Sequence, residues 1–163
     1  MSTDRPHVDS ATLRGARAVG IVCAAAFFAI VVLSLVFPRL FFFQPYHIVY
    51  ERLHGAAFVS FGLGLVLAAR DPSRNAGVYA LIGLASASLA VAIAYTLVFD
   101  EAEPVHWFLQ VPLLGAVGVA LVVTYTRLRR PHPIVVRIVI AAVAFMPVLL
   151  FLYDAAYRVL VAR

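Results

Sequence analysis

Residues 76–99, AGVYALIGLASASLAVAIAYTLVF, run from the turn Asp71-Pro72-Ser73-Arg74-Asn75 to Asp100 without a charged side chain. A helix rising ~1.5 Å per residue crosses the ~30 Å hydrocarbon core of a bilayer in ~20 residues, so this stretch has the length of a membrane span. Lipid offers the backbone no hydrogen-bond partners, which leaves the α-helix as the conformation for such a run. Outward from it lie four more: Ala18 to Phe37, Leu53 to Ala69, Trp107 to Thr126 and Ile134 to Val159.

The fold class expected is therefore an all-α integral membrane protein, a compact bundle of five transmembrane helices. Its spans are read at about 18–37, 51–69, 76–99, 107–126 and 134–159, after an N-terminal tail over 1–17, and residues 18–163 form one domain. A hydrophobic fraction of 64% against 13% charged residues leaves no segment for a water-soluble domain. The first run is longer than the ~7–15 apolar residues of a signal peptide and ends Leu35-Val36-Phe37-Pro38 without a small-x-small site, so it is read as a retained anchor.

All 13 basic side chains are arginine, and their placement gives the bundle a direction. Nine of them (Arg5, Arg14, Arg17, Arg70, Arg74, Arg127, Arg129, Arg130 and Arg137) fall on the side of the N-terminus if five spans alternate. The opposite side holds Asp100, Glu101 and Glu103 in an arginine-free loop. The positive-inside rule then puts the N-terminus in the cytoplasm and the C-terminus outside, in a plasma membrane, the inner membrane of a bacterium. Arginines scattered over loop ends make no nucleic-acid surface.

Prolines and small residues mark the connections and contacts. Pro72 disfavours helix at Asp71 while Ser73 or Asn75 can cap the next span, and Pro131 and Pro133 interrupt the chain before the last one. Pro112 and Pro147 fall inside spans. Small residues recur every fourth position at Ser60, Gly64 and Ala68, at Ser86, Ala90 and Ala94, and at Ala116, Ala120 and Thr124, which lets helices approach closely in lipid. Cys23, the single cysteine, is read as a packing residue. The stretch Pro38 to Tyr46, rich in phenylalanine, suits the bilayer interface or a docking surface for a partner or hydrophobic ligand.

Candidate chemistry gathers at the outer helix ends. His47, Glu51 and His54 stand at i, i+4 and i+7 and share a face if the second span begins near Pro45. With His106 they form a candidate metal set, and Glu51-Arg52-Leu53-His54 has the Glu-x-x-His form of carboxylate-bridged metal sites in four-helix bundles. The second such segment and the additional glutamates of a di-metal centre are missing, so a mononuclear site is the form considered. His54, beside Gly55, Phe58 and Gly62, is also a candidate ligand for a tetrapyrrole. Asp154 and Arg158, at i and i+4, are read as a structural ion pair.

No glycine-rich phosphate loop, Gly-x-Ser-x-Gly elbow or Cys-x-x-Cys pair occurs, and five spans do not divide into two inverted halves. The first functional expectation is a small non-catalytic membrane subunit that packs against partner proteins or copies of itself. The second is a metal- or haem-binding membrane protein with its site at the outer ends of spans two, four and five. The third is a carrier of a hydrophobic ligand.

Overall fold

The computed structural model describes residues 9–41, 47–99 and 105–160. They form α1 (Ser10–Val36), α2 (Pro38–Phe41), α3 (Ile48–Arg70), α4 (Ala76–Phe99), α5 (Val105–Arg129) and α6 (Pro133–Leu160). The five long helices are each long and apolar enough to cross a membrane, as expected. α4 coincides with its apolar run, and the other four extend past theirs at one end or both. α1 begins at Ser10, about two turns ahead of Ala18, because the Asp9 side chain accepts the Thr12 N–H and caps it. The apolar runs measure what lipid covers, whereas helix ends are set by caps.

The ends of the other helices follow the same chemistry. His47 is the N-cap of α3, its Nδ1 accepting from the Val49 N–H at 3.4 Å, so the helix starts at Ile48. Asp71 organises the α3–α4 turn: its carboxylate accepts from the Ser73 hydroxyl at 2.7 Å and the Arg74 N–H at 3.1 Å. Arg130 closes α5 in the left-handed region at φ 44°, with its N–H on the Thr126 carbonyl, and Pro133 opens α6 at the position where a missing N–H costs nothing. Pro112 and Pro147 lie inside α5 and α6.

Four of the long helices surround the core in the order α1, α3, α4, α5, and α6 packs on the outside of α4. α4 and α5 make the closest pair. A methyl group on Gly118 would come within 3.0 Å of the Gly83 carbonyl oxygen and the Ala87 nitrogen, so the two backbones meet where both lack a side chain. α1 and α3 form the second close pair, joined by Phe27 packing on Phe58 and Phe61 at ring separations of 5.6 and 5.5 Å. Cys23 is buried in this core.

One end of the bundle is tied by arginine and tyrosine. Arg17 reaches the last carbonyl of α3, on Arg70, at 3.4 Å, and the buried Tyr79 hydroxyl donates to the Ala16 carbonyl at 3.1 Å. Gly20 makes room for that ring: a methyl group there would stand 2.7 Å from the Tyr79 oxygen. At the other end the Gln110 amide of α5 donates to the Phe41 carbonyl of α2 at 2.7 Å, and the Tyr95 hydroxyl of α4 donates to Asp154 of α6 at 3.0 Å. These contacts require successive long helices to run in opposite directions.

Candidate functional site

The short Asp71–Asn75 turn holds α3 and α4 together at the arginine end, where Ile82 of α4 lies against Gly64 of α3. Away from that turn the two helices share few contacts, and the space that opens is a cavity of about 210 Å³. Its walls come from all four core helices and from α2. α1 supplies Ile30, Val31 and Ser34, and α3 supplies Glu51, His54, Gly55 and Phe58. α4 supplies Leu89, Ala92 and Ile93, α5 supplies Leu109, Gln110, Leu113 and Leu114, and Phe41 of α2 completes it.

Apolar side chains make most of this lining, and its few polar groups are oriented. The Ser34 hydroxyl donates to the Val31 carbonyl at 2.8 Å, which leaves its lone pairs as acceptors. The Gln110 amide nitrogen donates to the Phe41 carbonyl, which fixes the amide and leaves its oxygen as an acceptor and its second N–H as a donor. Glu51 and His54 stand three residues apart on one face of α3, Glu51 partly buried and His54 exposed along the cavity edge.

Of the four candidate metal ligands, Glu51 and His54 share the cavity. His47 lies outside it, exposed, spending a ring nitrogen on the cap of α3 and resting 5.4 Å from the Tyr50 ring. The His106 side chain is outside what the structure describes, as are residues 42–46 of the aromatic stretch and 100–104 of the acidic loop. Among the described residues no three histidine, cysteine or carboxylate side chains come together as a metal-binding group. α3 and α5 face one another across the cavity rather than packing together.

Asp154 accepts a hydrogen bond from the Tyr95 hydroxyl across on α4. Sequence reasoning passed over Tyr95, Ser34 and Gln110. Gln110 carried a usable signal, an amide inside an otherwise apolar run, where a polar group needs a partner. Ser34 and Phe41 carried none, because their part in the cavity depends on which helices are neighbours. No protein-family model, curated protein or solved structure matches this chain.

Proposed function

We propose that this protein is a membrane-embedded binder of a compact, mainly apolar small molecule, held at the end of the bundle that carries His54. The observation behind this reading is the cavity of about 210 Å³ among four helices, apolar over most of its wall and edged by Glu51, His54 and Gln110. Ligand sites in helical bundles have this composition, a greasy wall with a few placed polar groups. The volume is below the ~300–1,000 Å³ of pockets for drug-sized ligands, so the occupant is small. Such a molecule partitions into the bilayer and reaches the cavity from there.

Mass spectrometry of small molecules that accompany the full-length protein through purification in mild detergent tests this. Gly55 lines the cavity, and a methyl group there meets no atom within 4 Å, so the side chain of Gly55→Leu starts in open space and takes up cavity volume. The wild-type protein is expected to carry a compact apolar compound that Gly55→Leu loses. Identical contents in both proteins would sink the reading. A Soret band or stoichiometric metal lost in His54→Ala would instead favour a tetrapyrrole or metal ion at the same place.

A second reading, an accessory subunit of a membrane complex, draws on α6. None of its described residues is buried, and its contacts run to α4, so most of its surface is open to lipid, to a partner protein or to a second copy. Native mass spectrometry of the complex released from membranes would show that partner, and a lone monomer would count against it.

A further inference from the structure

On the reading of the cavity as a ligand site, we propose that its occupant is a neutral single-ring phenol, the ring between Phe41 and Phe58 and the hydroxyl at the Glu51–His54 edge. Size comes first. An apolar cavity of ~150 Å³ accepts benzene, so about 210 Å³ holds one ring with a few substituent atoms. Phe41 and Phe58 bring aromatic rings to the wall from different elements, and aromatic ligands pack favourably against such rings.

Charge and hydrogen-bond direction decide the polar end. No arginine is among the described lining residues, while Glu51 is, so a carboxylate or phosphate would meet a like charge with only the His54 imidazole to offset it. Ser34 and Gln110 present acceptors, the Ser34 hydroxyl hydrogen and one Gln110 N–H being engaged by the Val31 and Phe41 carbonyls, and the Glu51 carboxylate is an acceptor too. With one Gln110 N–H and the His54 ring also present, the polar end is matched by a ligand group that both donates and accepts. A protonated amine only donates, and His54, one turn from Glu51, competes with it for the same carboxylate, which makes a neutral hydroxyl, donor and acceptor at once, the better match.

Isothermal titration of the full-length protein in nanodiscs, with empty nanodiscs subtracted, compares ligands of one ring size: toluene, para-cresol, para-toluate and benzylamine. Para-cresol is expected to bind about tenfold tighter than toluene, the size of one hydrogen bond to a charged acceptor, with para-toluate weakest. Glu51→Leu should collapse the cresol–toluene difference, and Gly55→Leu should abolish binding of both. Should Gly55→Leu fail to fold, Ala92→Leu on the facing wall provides the same block. Equal binding of toluene and cresol, or tightest binding of para-toluate or benzylamine, would overturn the phenol while leaving an apolar ligand site. Absence of any ring binding sensitive to the cavity-filling variants would overturn the site itself.

Discussion

Asp71 shows how much one polar side chain does at the edge of an apolar bundle. Its carboxyl is held below the usual carboxylate range, first by the Ser73 hydroxyl and next by the Arg74 N–H. A carboxyl whose folded pKa is depressed stabilises the fold fully above its unfolded pKa, and the contribution fades as pH falls through the lower folded value. Acidification through that range is expected to loosen the 71–75 turn, seen as a lower protection factor for exchange of the Arg74 amide. Asp71→Asn keeps the acceptor and should remove the pH dependence; an unchanged acid response in that variant would assign the effect to another group. This turn was legible from Asp71-Pro72-Ser73-Arg74-Asn75, because proline and short polar side chains act locally. His47 was not, since its helical spacing to Glu51 and His54 hid the cap position that takes it out of the cavity.

Among the helices, the contact that fixes the core is the crossing of α4 and α5 at Gly83, Ala87 and Gly118. Filling such a crossing strains backbone against backbone, and overpacking costs about 1–3 kcal/mol, more than the ~1 kcal/mol that replacing glycine by alanine returns in a helix. Gly118→Ala is expected to destabilise the protein by about 1 kcal/mol or more in reversible unfolding from mixed micelles. Gly115→Ala, on the same helix where a methyl group meets nothing within 4 Å, should be neutral or stabilising. Equal effects would mean that helix propensity, not the crossing, governs both. The sequence carried the principle of small-residue stripes but not their partners. Ser86, Ala90 and Thr124 are buried as such a stripe requires, while Ala116 and Ser60 are exposed. A spacing of four marks a face of one helix, and which helix lies against it is a property of the assembled bundle.

For the molecule as a whole, the number of long helices was readable because hydrocarbon enforces it, and the cavity was not, because it arises where α3 and α4 part and α5 closes the gap. Its residues come from five elements, and the pairing of those elements leaves no trace in local pattern. The direction of the bundle is a prediction that charge and structure now make together. Arg17 and Arg70 meet at one end, with Arg74 on the adjoining turn and Arg127, Arg129 and Arg130 where α5 finishes and α6 begins. Tyr157 and Arg158 lie in the last turns of α6 at the far end, beyond the Tyr95–Asp154 hydrogen bond. Arginine near span ends is retained on the cytoplasmic side, so the arginine end is expected inside the cell and the His54 end outside. Cys23 is buried, which keeps the background of a membrane-impermeant maleimide low. In intact cells Tyr157→Cys should label and Ser73→Cys should label only after permeabilisation. The reverse pattern would invert the bundle and put the cavity end in the cytoplasmic leaflet, changing the leaflet from which a ligand dissolved in the bilayer reaches Glu51 and His54.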